Sequence, residues 1–282
     1  MGTSSQEKPL VTVVVPTYNH RSCIGRCLDS ILEQETDFPI RLLVLDDAST
    51  DGTSDIVREY SAKDDRVVAV IREKNLGAIA NTKTEIKKLS TEFFIITEGD
   101  DYWCDPGKLQ LQIDALRRNP ACSCCGHATD IRDKEGKSYR RISRRIKGDE
   151  GIFDIFHAPY CHTTSMLYRN FLPSLSELEW KRMEGDAMYL MKALDIGNMV
   201  YIPKVMSVYS WTGDGIWTGL SEEDKIMEGQ VNFYRIDQFL KFKYTKLFQP
   251  KYLPDMAKTI FSVSIPLWKG RHFIVKFQKS KS

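Results

Sequence analysis

The chain has 282 residues, 42% hydrophobic, 11% aromatic and 28% charged, enough apolar mass for one large domain or two unequal lobes and too much for a disordered protein. Basic and acidic residues number 40 and 38, a net charge of +2, so nothing marks a dedicated nucleic-acid binder. No basic leader precedes an apolar run, no stretch approaches the ~20 apolar residues of a membrane span, and seven cysteines, an odd number spread along the chain, predict reduced thiols in a cytoplasmic protein.

After a polar lead over residues 1–8, Leu10-Val11-Thr12-Val13-Val14-Val15 forms a β-branched strand ending at Pro16-Thr17-Tyr18-Asn19. Ile24, Cys27, Leu28, Ile31 and Leu32 recur at helical spacing and predict a helix from about His20 to Gln34. Ile40 to Leu45 is a second strand that delivers Asp46-Asp47-Ala48-Ser49-Thr50-Asp51-Gly52-Thr53, and Ile56, Val57 and Tyr60 continue as a helix. Arg66 to Ile71 is a third strand, Asn75-Leu76-Gly77 precedes a helix carrying Ile79, Ile86 and Leu89, and Phe93 to Thr97 is a fourth strand. This alternation predicts a parallel sheet wound by right-handed crossovers, with ligands at the strand ends.

The fourth strand opens into Thr97-Glu98-Gly99-Asp100-Asp101-Tyr102-Trp103. Packed carboxylates repel one another unless a cation joins them, so Glu98, Asp100 and Asp101 are candidate ligands for Mg2+ or Mn2+. An acidic turn ahead of a helix beginning near Asp105-Pro106 reads the same residues without a metal. Asp47 can accept from the N–H of a base or from ribose hydroxyls, while the Thr17 and Ser49 hydroxyls offer donors to phosphates. Asp51 suits turn formation or helix capping.

From Pro106 the chain predicts a helix over Leu109, Ile113 and Leu116, then a strand from Ala121 to Ile131. Cys122-Ser123-Cys124-Cys125-Gly126-His127 lacks the second cysteine pair of a zinc tetrahedron and reads as a strand of small side chains. The cations Lys134, Lys137, Arg140, Arg141, Arg144, Arg145 and Lys147 form either a solvated loop or a surface for anionic lipid or a lipid-diphosphate acceptor. A strand over Thr163 to Tyr168 follows; Glu184-Gly185-Asp186 then opens a helix through Met188, Leu190, Met191 and Leu194. Val200 to Ile202 and Val205 to Tyr209 complete the sheet, Trp211 to Trp217 is a Gly-rich aromatic loop, and the chain from Ser221 is a helical tail. Within the tail, residues 256–282 alternate cations with bulky apolar groups, which suits a segment lying on a membrane, a packed helix or a homodimer contact equally.

A doubly wound sheet would bring the acidic stations Asp46-Asp47, Glu98 to Asp101 and Glu184 to Asp186 to one edge. Their order along the chain, Pro-Thr-Tyr-Asn, Asp-Asp-Ala-Ser-Thr-Asp-Gly-Thr, Asn-x-Gly and Glu-Gly-Asp-Asp-x-Trp, resembles the family 2 inverting glycosyltransferases of the GT-A fold, over about residues 10 to 215. The resemblance implies a nucleotide-sugar donor, usually a UDP-sugar, and a glycan or lipid-linked saccharide acceptor in cell-surface polysaccharide synthesis; the place expected from the rest of the sequence is the cytoplasm or the inner face of the cell membrane. It implies that Pro16, Thr17, Tyr18 and Asn19 line the nucleotide, that Asp47 binds the base and that Asn75 and Gly77 flank it. Asp100 and Asp101 would sit at the ribose and the metal-bridged diphosphate, and Asp186 would be the general base, with Glu184 as second candidate. Residues 1–105 become the donor half, 106–220 the acceptor half and 221–282 the tail. Two departures stand out: Glu98 replaces the usual Asp, and Tyr209-Ser210-Trp211-Thr212 lacks the family's His, which leaves a third metal ligand missing. A scaffold that binds nucleotide sugar without turnover is the alternative. A nicotinamide enzyme is set aside, because no Gly-x-Gly-x-x-Gly follows the first strand.

Overall fold

The computed structural model describes residues 8–211 and 220–251. The segment 256–282 and the aromatic loop beyond Trp211, Thr212 included, lie outside the described residues.

The first half matches the reading of its sequence. β1 (Val11–Thr17), α1 (Ile24–Leu32), β2 (Ile40–Asp46), α2 (Thr53–Lys63), β3 (Val67–Ile71), α3 (Ala78–Ile86) and β4 (Phe93–Ile96) alternate. The strands pair in parallel in the order β3-β2-β1-β4, and the apolar runs of β1 and β4 are covered on both faces, as a central parallel strand requires.

The second half adds β5 (Tyr102–Trp103), α4 (Lys108–Arg118), β6 (Cys122–Arg132), β7 (Ser138–Ile142), β8 (Gly151–Phe153), β9 (Leu167–Arg169), α5 (Glu177–Arg182), α6 (Asp186–Ile196), β10 (Asn198–Ser210) and α7 (Glu222–Phe239). One ten-stranded sheet runs β3-β2-β1-β4-β9-β6-β10-β5, with β7 against β6 and β8 against β10. β10 is parallel to β6, whereas β9 is antiparallel to both β4 and β6. α1, α2 and α4 cover one face through Ile24, Leu28, Val57, Leu109 and Ile113. α3, α5, α6 and α7 cover the other through Ile86, Trp180, Met188, Leu194 and Phe239. The cysteines among the described residues are free thiols, and Cys122, Cys124 and Cys125 are buried along β6. No described helix is long and apolar enough to cross a membrane.

Several elements differ from expectation. Thr163–Ser165 is a 3-10 turn, and only Leu167–Arg169 is strand. The two final strands are one, because β10 continues past Pro203, with register shifts at Ile202/Val205 where a residue without an N–H interrupts the ladder. Part of the basic run is the exposed strand β7, folded back on β6 through a turn at Asp133 and Gly136. α5 is too short for a periodic pattern to mark, and its one local signal is the capping box of Ser176 and Glu179, a Ser-x-x-Glu signature.

Phe94 ties the strand carrying the acidic turn to its neighbours: its ring lies 5.0 Å from Tyr168, 5.7 Å from Phe171 and 6.1 Å from Tyr189. Phe94→Ala should lower unfolding free energy by about 3–5 kcal/mol in a denaturant titration. A loss below about 1 kcal/mol would mean that the cavity collapses freely and that the cluster does not anchor β4.

Candidate active site

The acidic turn is pinned to β1. Thr97 N–H donates to Val14 O at 3.0 Å and Gly99 N–H to Pro16 O at 3.0 Å, and Asp101 N–H closes the turn on Glu98 O at 3.0 Å. A Cβ at Gly99 would stand 2.8 Å from Thr17 Oγ1 and 2.9 Å from His20 Nδ1, so only glycine permits this approach. The turn exposes Asp100 partly and drives Asp101 inward to 1% exposure.

Asp101 Oδ1 accepts from Ser210 N–H at 3.1 Å, at the end of β10. Its Oδ2 is buried without a hydrogen-bond partner and lies 3.5 Å from His162 Nδ1. One ligand atom from each of Glu98, Asp101 and His162 falls within 4.8 Å of the others; Asp100 stands beside this group and is not part of it. His162 arrives through topology. β9 pairs antiparallel with β4, Leu167 opposite Ile95, so residues preceding β9 lie beyond the end of β4. There the His162 ring stacks on Tyr209 at 4.3 Å.

The electrostatics follow from crowding. Burial, then the charges of Glu98 and Asp100, hold the Asp101 carboxyl well above the usual range. Burial, then Asp186 and Asp100, raise Glu98. Burial depresses His162 to about 4, so near neutral pH its ring is uncharged and keeps a nitrogen lone pair. An unbonded carboxylate oxygen, a second carboxyl and a neutral imidazole fit a divalent cation such as Mn2+.

Along the rim, the ends of β1 and β2 are laced together. Asn19, in the left-handed region at φ 57, donates its N–H to Ser49 Oγ at 2.9 Å and accepts at Oδ1 from Thr50 N–H at 2.8 Å. Thr17 is buried with its hydroxyl unpartnered, and Tyr18 is exposed. Asp47 accepts from the N–H groups of Leu76 and Gly77, one per oxygen, both at 2.8 Å, and Asn75 Oδ1 takes a second contact from Gly77 N–H at 3.0 Å. Asp47 is thus the anchor of the 75–77 loop, and each oxygen keeps a further lone pair. Asp51 accepts from Arg21 and Thr53 N–H groups at 2.9 Å, the turn-forming role.

Asp186 is the first residue of α6, after Gly185 at φ 119. It is exposed; Oδ2 accepts from Thr163 Oγ1 at 2.5 Å and Oδ1 from Ala187 N–H at 2.8 Å. Its charge acts on both Glu98 and His162, which puts it at the same rim as Asp101. Glu184 instead faces Arg235 of α7 at 3.7 Å. His162 and Thr163 escaped the sequence reading: periodicity placed a strand near them without revealing that it pairs with β4.

Glycosyl transferase family 2 matches residues 12–172 of this chain. An uncharacterised protein of Mycobacterium tuberculosis is 30% identical over 209 residues, covering 73% of this chain and 60% of its own length, so the chain spans less than two thirds of that relative. Staphylococcus aureus TarS (residues 1–349), solved with UDP-GlcNAc, superimposes with a TM-score of 0.62 at 19% identity, covering 90% of this chain and 81% of that one. The mannosyltransferase PcManGT of Pyrobaculum calidifontis, solved with GDP-Man and Mn2+, gives 0.55 at 17% identity over 93% of this chain and 78% of its own. At such identities these two likenesses speak for the GT-A fold alone. With more than half of its length inside the family's match, this chain belongs to glycosyl transferase family 2.

Proposed function

We propose that the chain is an inverting glycosyltransferase that moves a sugar from a nucleotide-sugar donor, most simply a UDP-sugar, to a hydroxyl of a glycan or lipid-linked oligosaccharide in cell-surface polysaccharide synthesis. The observation that carries the reading is one rim holding an unbonded Asp101 oxygen, an uncharged His162 and, beside Thr163, the exposed carboxylate of Asp186. Nucleotide sugars in the TarS and PcManGT structures support the donor class. Such donors are made in the cytoplasm, which places the reaction there or at the inner membrane face.

Asp101, Glu98 and His162 would hold the divalent ion, Mn2+ or Mg2+; when bound, it supplies positive charge to the diphosphate that departs. His162 takes the part of the histidine missing after Tyr209, which weakens the scaffold alternative. Asp100 binds the ribose, while Pro16 to Asn19, Asp47, Asn75 and Gly77 enclose the nucleotide within the donor half, residues 1–105. On the acceptor half, residues 106–220, Asp186 accepts the proton of the attacking hydroxyl as the new bond forms at the anomeric carbon. The bond to phosphate breaks on the opposite face, its electron pair leaving with the diphosphate, and the configuration inverts. Thr163 aims the carboxylate by its hydrogen bond. Glu184, turned to Arg235, takes no proton.

Asp186→Asn should lower transfer by roughly 100-fold or more, the usual worth of a general base, and leave donor binding unchanged by calorimetry. Unchanged turnover would remove Asp186 from the mechanism. A pH dependence follows as well. Glu98 and Asp101 titrate above their ordinary 4.5 and 3.8 in the folded protein, so they favour folding fully below those values, and that contribution is lost as pH rises through the folded ones. A cation binds the deprotonated forms. At one fixed Mn2+ concentration the gain in Tm should therefore be larger at about pH 8 than at about pH 6; a concentration of 100 times Kd corresponds to about 2.7 kcal/mol of stabilisation. His162→Ala should shrink it at both. A gain that is flat or falls with pH would contradict the ligand set.

A further inference from the structure

Of the cations between Lys134 and Lys147, Arg140 stands apart. β7 pairs with β6 so that Arg140 lies opposite Ile131, and Ile131 lies opposite Tyr209 on β10. Residues opposite one another point to the same face, so Arg140, Ile131 and Tyr209 form a row across the sheet. The row ends at the His162 ring stacked on Tyr209, beside Asp101. Three neighbouring arginines are otherwise engaged. Arg132 and Arg141 approach Asp130 at 3.0 and 3.9 Å, and Arg144 bonds the His157 carbonyl at 2.7 Å over the Phe153 ring. Arg140 is exposed, and among the described residues no carboxylate lies within ion-pair distance of it.

An aromatic side chain stands in the same region. Tyr160, 73% exposed, is within electrostatic reach of Asp186, Glu98 and Arg140 at once. The C–H face of a pyranose complements the negative face of such a ring. The guanidinium fork of Arg140 matches a carboxylate or a phosphodiester.

We propose that the acceptor is an anionic glycan, its receiving sugar against Tyr160 beside Asp186 and a neighbouring carboxylate or phosphodiester on Arg140. The proposal rests on Asp186 being the base, and it names the substrate class of that site. Arg140 determines specificity and takes no part in the chemistry.

The test uses the full chain with Mn2+ and UDP present. Calorimetry compares a hyaluronan hexasaccharide, its carboxyl-reduced neutral form, a ribitol-phosphate hexamer and vesicles containing phosphatidylglycerol. One or other charged oligomer should bind about tenfold more tightly than the neutral form, as a charge-assisted bidentate contact provides. The identity of the tighter one separates carboxylate from phosphodiester. Arg140→Gln should erase the preference and leave UDP binding intact, whereas Arg141→Gln, on the opposite face, should retain it. Equal binding of charged and neutral forms, no binding of either charged oligomer, or Arg140-dependent binding to vesicles alone would overturn the proposal. Asp186→Asn separates the two readings: it should keep the charge preference while losing transfer. Retained transfer would sink the base assignment and leave the Arg140 result standing.

Discussion

A carboxylate oxygen sealed from water without a hydrogen-bond partner is costly to ionise, and the edge of this sheet is arranged around one. Asp101 is held inward by a turn whose N–H groups are fastened to β1 and by the N–H of Ser210. Neither tie reaches Oδ2. Glu98 and Asp100 deepen the penalty by repulsion. In most folded domains such a cluster would be selected away. Here it persists beside an imidazole that burial keeps uncharged, an arrangement whose natural resolution is a cation.

The antiparallel pairing of β9 with β4 converts that local chemistry into a bipartite site. β4 ends the first half's run of parallel strands and β9 belongs to the second half of the chain, yet their opposed directions put Glu98 and His162 at the same end of the sheet. Thr163 then links the rim to the start of α6 through Asp186. A further parallel strand in that place would have sent its preceding residues to the opposite end, far from the acids. The direction of one three-residue strand thus decides whether the His162 imidazole and the Asp186 carboxylate meet the acidic turn.

Much of this was legible in the residues. The apolar runs of β1, β2 and β4 and the helical spacing of α1, α4 and α6 are local patterns, and local patterns survive folding when the core rewards them. The acidic turn and the Asp47 loop were readable because several polar groups occur together where a strand stops. His162 was not, since its significance lies in a pairing between residues 95 and 167 that no periodicity encodes. β7 was hidden for a related reason: it is exposed on its polar edge, so charge outweighed strand propensity. Glu184 and Asp186 are two residues apart, and their surroundings are separated by tertiary contacts, Arg235 of α7 beside Glu184 and Thr163 beside Asp186.

The Asp47 contact carries a lesson about conservative replacement. Its two oxygens each receive a main-chain N–H from the loop over residues 75–77. Exchanging the acid for its amide preserves shape almost atom for atom, yet it sets an NH2 against one of those N–H groups, donor facing donor, and no flip of the amide relieves both contacts. At this position the isostere is the disruptive choice, because what the loop requires is a pair of acceptors.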